Sequence, residues 1–152
     1  MRIARKGTWF YQGSVIERTE MVKLFSTILK REGDTYFLVT PVEKVGITVD
    51  DAPFVAVDFD SAGEAEQRVI VIETNVGDIV IAGKHNPIRM TRDANTGEPS
   101  PYVLVRKNLE ALIDRKSFYR LMEICEEHEG WFGLWSEGQF FRVIAAEEMT
   151  ID

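Results

Sequence analysis

The sequence predicts an α+β protein built mainly of antiparallel sheet, and three observations carry the prediction. Only two segments show helical apolar spacing. About ten short runs have strand character and are joined by turn-forming residues. Helices and strands do not alternate in the βαβ pattern that a doubly wound parallel sheet requires.

Taken in order, Thr8–Gln12 is the first strand candidate. The spacing then predicts a helix over Thr19–Arg31, with Met21, Val22, Phe25, Ile28 and Leu29 on one face. Thr19 suits its N-cap, Glu20 its first turn, Lys30 and Arg31 its last turn, and Gly33 its C-cap. Strands follow at Tyr36–Val39, Glu43–Thr48, Phe54–Phe59, Arg68–Glu73, Ile79–Ala82, Ile88–Thr91 and Tyr102–Val105. Turns at Asp58–Gly63 and Asn75–Asp78 separate some of them. A second helix is expected over Asn108–Glu127, with Leu109, Leu112, Ile113, Leu121, Met122 and Cys125 in its apolar stripe, Asn108 as N-cap and Gly130 past its end. Strands Trp131–Trp135 and Gln139–Ile144 close the chain as a hairpin around Ser136-Glu137-Gly138.

The same order suggests two similar halves, residues 1–62 and 63–152, meeting at the polar stretch Asp60-Ser61-Ala62-Gly63-Glu64. Each half holds several strands and one main helix, as a largely antiparallel sheet or partial barrel. Trp9–Gly13 echoes the aromatic surroundings of Trp135–Gly138. The final hairpin is apolar on both faces: Trp131, Gly133 and Trp135 should share one, Phe132 and Leu134 the other. One face can cover the local core, while the other calls for the rest of the chain, a protein partner or a second copy.

The chain has 152 residues, 45% of them hydrophobic, enough for a core that needs no disulfide or metal staple. One cysteine, Cys125, permits no internal disulfide and fits a reducing cytoplasm. Arg2, Arg5 and Lys6 resemble the start of a signal peptide, but Gly7–Gly13 supplies no apolar region, and the apolar runs are strand-sized. Neither membrane nor bulk nucleic acid is an expected partner, the latter because the net charge is −7. The charge is uneven: Lys84–Arg120 holds eight Lys/Arg against four acids, and Glu123–Asp152 eight acids against Arg142 alone. A locally cationic segment in an acidic protein is suited to a small anion.

Motifs of nucleotide-dependent enzymes are missing, with no Gly-x-Gly-x-x-Gly and no Walker loop, and no cofactor is expected. Cys125 and His128 are too few to form a structural zinc site. Asp58-x-Asp60-x-x-Gly63 and Asp93-x-Asn95 begin like calcium loops, but Val69 and Leu104 stand where the twelfth-position glutamate belongs. The serines lack a nucleophile-elbow context.

What remains is a series of polar residues at strand ends, where a rigid scaffold presents binding groups. They are Thr40-Pro41-Val42-Glu43-Lys44, Thr74-Asn75-Val76-Gly77-Asp78, His85-Asn86-Pro87-Ile88-Arg89 and Pro101-Tyr102-Val103-Leu104-Val105-Arg106. Donors, cations and carboxylates without a nucleophile–base pair point toward binding rather than catalysis. The candidate ligand set is Thr40, Glu43, Lys44, Thr74, Asn75, Asp78, Arg89, Tyr102 and Arg106. Lys44, Arg89 and Arg106 would hold an anion, Tyr102 would stack on a base, and Asn75 and Asp78 would read polar groups. Arg89 and Arg106 could equally pair with Glu43 or Asp78. Two other readings stay open: a small hydrolase using Glu43 or Asp78 as acid and base, and an interaction module using the aromatic hairpin.

These segments, with Val45-Gly46, Ala82-Gly83, Leu109-Glu110-Ala111-Leu112-Ile113-x-Arg115 and Phe118-Tyr119, resemble an uncharacterised bacterial domain-of-unknown-function family over roughly residues 5–125. The resemblance implies a duplicated α+β core with a pleckstrin-homology-like C-terminal half. It also implies a site for a nucleotide-like ligand between the halves, and a role in signal transduction. The family pattern leads one to expect a histidine beside the proline. Here Asn86 precedes Pro87, and His85 lies one residue back.

Overall fold

The computed structural model describes residues 1–149. The first half holds β1 (Arg2–Ile3), β2 (Trp9–Tyr11), β3 (Ser14–Val15), helix α1 (Thr19–Thr27), β4 (Leu29–Glu32), β5 (Thr35–Val39) and β6 (Lys44–Val49). The second holds β7 (Phe54–Ala62), β8 (Val69–Thr74), β9 (Ile79–Ile81), β10 (Ile88–Arg92), β11 (Pro99–Arg106), β12 (Leu109–Ile113) and α2 (Arg115–Met122). A small sheet follows: β13 (Glu126–His128), β14 (Trp131–Ser136) and β15 (Gln139–Ala145). The protein is α+β, as predicted.

The two six-stranded sheets share one circuit. Their orders are β3-β2-β1-β6-β5-β4 and β10-β11-β12-β7-β8-β9. In each, two antiparallel three-strand meanders are joined through a parallel pairing of the first and last strands. Arg2 pairs with Thr48 between β1 and β6, and Phe54 with Ala111 between β7 and β12. The duplication therefore shows in the topology. The helices break the repeat: α1 separates the two meanders of the first sheet, whereas α2 follows the last strand of the second.

Two helix expectations are corrected. The first helix ends at Thr27, and Leu29–Glu32 instead forms a hairpin with β5. The second begins only at Arg115. Leu109, Ala111 and Ile113 are buried and Glu110 and Leu112 less so, the two-residue alternation of a strand. Asp114, rather than Asn108, caps α2, accepting the Ser117 amide at 2.8 Å. The polar stretch 60–64 is also reassigned: β7 carries the chain through Ala62 within the second sheet, so the change of sheet falls before Phe54.

The core runs continuously through both halves, from Ile3, Trp9 and Leu29 to Phe54, Ile70, Val103, Leu109 and Leu121. Trp9 stacks on Phe25 of α1 at 6.1 Å. Helix α2 is held on β7 by polar bonds to the main chain: Lys116 Nζ donates to the Val57 carbonyl at 3.0 Å and Arg120 to the Phe59 carbonyl at 3.1 Å. Arg120 also pairs with Asp58, and this bond holds the Asp58 carboxyl below the ordinary carboxylate range. A group with a depressed folded pKa contributes stability above its unfolded pKa, and the contribution disappears as pH falls through the folded value. Arg120→Ala is therefore expected to flatten the stability-versus-pH curve below about pH 4. Urea midpoints of wild type and variant from pH 2 to 7 check this, and an unchanged acid limb would refute it.

Candidate functional site

A cleft of about 690 Å³ opens between the two halves. The first half contributes Arg5 and Lys6 from the β1–β2 connection. The second contributes Val55 and Val57 of β7, the start of β11 at Pro99–Pro101, and Arg115, Phe118 and Tyr119 of α2. The volume is within the usual range for small-molecule sites, about 300–1,000 Å³.

Local backbone chemistry places the two cations. The β1–β2 connection is a tight turn, closed by the Ala4 amide on the Thr8 carbonyl at 2.8 Å and the Gly7 amide on the Ala4 carbonyl at 2.9 Å. Gly7 has φ +94°, and a Cβ there would stand 2.8 Å from Asn75 Nδ2, so the turn needs glycine twice over. Asn75 is fixed in turn on β7: its amide donates to the Val55 carbonyl at 2.8 Å, and its Oδ1 accepts the Val55 amide at 3.0 Å.

Arg5 spans the cleft mouth. It pairs with Asp51 at 2.8 Å and donates to Ser100 Oγ at 3.1 Å. The Tyr102 hydroxyl donates to the same Asp51 carboxylate at 2.7 Å. Burial, and then this bond, push the Tyr102 phenol above its ordinary pKa, so it stays a neutral donor. Arg89 stacks over the Tyr102 ring at 4.5 Å and forks onto Glu110 at 2.8 and 3.0 Å. Arg115 pairs with Glu98 at 2.8 Å. Lys6 has no ion-pair partner among the described residues, and Tyr119 is 60% exposed. Among the described residues the cleft thus presents one unpaired ammonium, two guanidiniums and an open aromatic face, with the Glu98 and Asp114 carboxylates also on its lining.

The nine candidate residues fall into three groups. Asn75, Arg89 and Tyr102 lie beside the cleft, bonded to Val55, Glu110 and Asp51. Thr74, Asp78 and Arg106 form a second inter-half contact. Arg106 donates to the Ser26 carbonyl of α1 at 3.0 Å, lies 3.5 Å from Asp78 and sits 5.0 Å over the Phe54 ring. Thr74 Oγ1 accepts the Asp78 amide at 3.1 Å. Thr40, Glu43 and Lys44 lie at the β5–β6 turn. Lys44 is paired with Glu32 and stacked on Phe37, and no hydrogen bond or ion pair among the described residues links these three to the other six. No hydrogen bond among the described residues joins Glu43 to Asp78: the Glu43 carbonyl accepts from Thr40, and Asp78 pairs with Arg106. Of the cations assigned to an anion, Arg89 and Arg106 pair with Glu110 and Asp78, Lys44 with Glu32.

Sequence reasoning overlooked Arg5 and Lys6 because they resemble the start of a leader. It passed over Arg115, Phe118 and Tyr119 because a longer helix put them in its middle rather than in its first turns. Asn86, where a histidine was expected, is a brace: its Nδ2 donates to the Leu104 and Val105 carbonyls at 2.9 and 3.0 Å. In the final hairpin a register shift between Phe132 and Gly133 interrupts the predicted alternation. Leu134 enters the core, while Trp135, Phe140 and His128 pack on one another at 4.9–5.1 Å. The Cys125 thiol is pushed up to about 11 by burial and by Glu126, which keeps it protonated and weakly nucleophilic at neutral pH. Among the described residues no group of three His, Cys, Asp or Glu is arranged to hold a metal ion, and no helix is long and apolar enough to cross a membrane.

The fold and cleft define a two-domain α+β protein with a groove between related sheets. The chain belongs to the DUF1285 family of unknown function: the family's N-terminal domain matches residues 1–52 and its C-terminal domain residues 53–143. The boundary between them coincides with the change of sheet before Phe54. A DUF1285 protein of Silicibacter pomeroyi, solved by crystallography, is 64% identical with a TM-score of 0.94, covering 98% of this chain and 81% of its own. Another, from Shewanella baltica, is 30% identical with a TM-score of 0.62, covering 80% of this chain and 89% of its own. No protein of curated function matches.

Proposed function

We propose that this protein is a non-catalytic ligand-binding protein of the cytoplasm, holding an anionic small molecule in the cleft between its halves and acting in signal transduction. The observation that carries the reading is Lys6, an ammonium without an ion-pair partner among the described residues, in a cleft whose walls come from both halves. Arg5 and Arg115 flank it, already partnered, and would share their remaining donors with the anion. The open ring of Tyr119 offers a stacking face for a nucleotide-like group. Asn75, Arg89 and Tyr102 act as positioning residues. A ligand touching both halves favours one arrangement of them, which is how binding becomes a signal.

A thermal-shift screen against nucleotides, cyclic dinucleotides, sugar phosphates and anionic metabolites tests this. A ligand at a hundred times its Kd adds about 2.7 kcal/mol to stability, a readily measured rise in Tm. The affinity of the hit is expected to fall about tenfold or more in Lys6→Ala, the loss of one charge-assisted bond. It is expected to persist in Lys44→Ala, which lies outside the cleft. Loss in Lys44→Ala with retention in Lys6→Ala would move the anion to the β5–β6 turn and overturn the assignment.

A further inference from the structure

We infer that the cleft takes an amphiphilic anion, a phosphate- or carboxylate-headed linear chain, whose tail enters an apolar chamber continuing the cleft along α2. The inference rests on the ligand-binding reading and narrows it to a ligand class. Its basis is a second cavity, of about 390 Å³, between α2 and the small C-terminal sheet. Its lining includes Met122, Phe132, Val143 and Ile144, and Pro99 and Phe118 belong to the walls of both spaces.

The two spaces therefore follow one helix. Arg115 and Tyr119 line the cleft, Phe118 stands on the wall the two spaces share, and Met122 and Cys125 line the chamber. Among the described residues the one charged side chain on the chamber, Arg92, is held by Glu148 at 3.1 Å. The thiol of Cys125 is neutral, so the chamber offers a polar head little. A cleft that carries charged groups and an adjoining apolar chamber match a molecule with a charged head and an apolar tail. At about 30 Å³ for each water-sized group, the chamber holds roughly a dozen carbons. A nucleotide or an inorganic anion would occupy the cleft and leave the chamber unused.

The test is calorimetric titration of the full chain with n-alkyl phosphates from methyl to dodecyl, below their micelle concentrations, with AMP in parallel. Each added methylene should tighten binding about fourfold, the equivalent of 0.8 kcal/mol of transfer, until the chamber is full and the series levels off. Cys125→Trp, which fills the chamber, should flatten the series while leaving methyl phosphate unchanged. Lys6→Ala should weaken every member by a common factor. In wild type the Met122 methyl resonance should move with octyl phosphate and stay with methyl phosphate, a readout independent of whether any variant folds. Equal affinity along the series, or AMP binding with no length dependence, overturns the inference and leaves the cleft reading standing. A length dependence that survives Cys125→Trp with Met122 unmoved places the chain elsewhere and also overturns it. Failure of every ligand to bind sinks both.

Discussion

Phe54→Ala is expected to lower stability by about 3–5 kcal/mol, the usual cost of removing a fully buried aromatic ring. Phe54 is 0% exposed and opens β7, the strand that is paired with β12 on one side and β8 on the other. Its ring also lies under the Arg106 guanidinium, which reaches across to the Ser26 carbonyl of α1. The substitution therefore leaves a cavity and removes the platform of an inter-half contact. Domains of this kind have about 5–15 kcal/mol in total, so a large share would go at once. Urea denaturation should show the midpoint falling with an unchanged slope. A loss below about 1 kcal/mol would mean that the ring is not in rigid core.

The second large effect is expected from Ser136→Ala. Ser136 is 0% exposed, and its hydroxyl joins two sheets: it donates to the Ala82 carbonyl at 2.6 Å and accepts the Ile70 amide at 2.9 Å. Alanine leaves one donor and one acceptor buried without a partner, at about 1–3 kcal/mol for each. We expect a loss of about 2–6 kcal/mol in total by the same reasoning, and markedly faster hydrogen exchange of the Ile70 amide. Ser26→Ala is the control. Among the described residues that hydroxyl bonds only the Lys23 carbonyl within α1, so its loss orphans no distant group. Similar losses in the two variants would show that Ser136 does not link the sheets.

The strands were the legible part of this fold. All ten expected runs are strands, because Val, Ile, Phe and Tyr between Gly- and Asp-rich turns mark a half-buried pleated surface. The strands that escaped are short, or mimic a helix. In Leu109-Glu110-Ala111-Leu112-Ile113 the apolar positions fit a spacing of two and a spacing of three and four alike, and only pairing with β7 and β11 decides. Leu29 likewise continues the stripe begun by Met21 and Phe25, yet it pairs with Leu38.

The candidate cleft was half legible. Tyr102 and Asn75 stood out as polar residues at strand ends, and both support the cleft. Their partners Asp51 and Val55 are distant in sequence, and no local pattern announces them. Arg89 and Arg106 look alike on paper. One forks onto Glu110 of β12 and the other staples α1, a distinction made only by tertiary contacts.

The circuit shared by the two sheets also sets the order in which the chain can fold. Each sheet is completed at its middle, where the first strand of a half meets the last, so the closing step joins residues far apart in sequence: Arg2 with Thr48, Phe54 with Ala111. The meanders can form early from neighbouring strands, but the central pairing must first meet the entropy of closing a long loop, which slows folding. Emerging from the ribosome, the chain can close its first sheet once β6 is made, well before β12 exists to close the second. The groove between them, which draws on both, is therefore the last feature to be assembled, and any ligand seated there can act only on a finished protein.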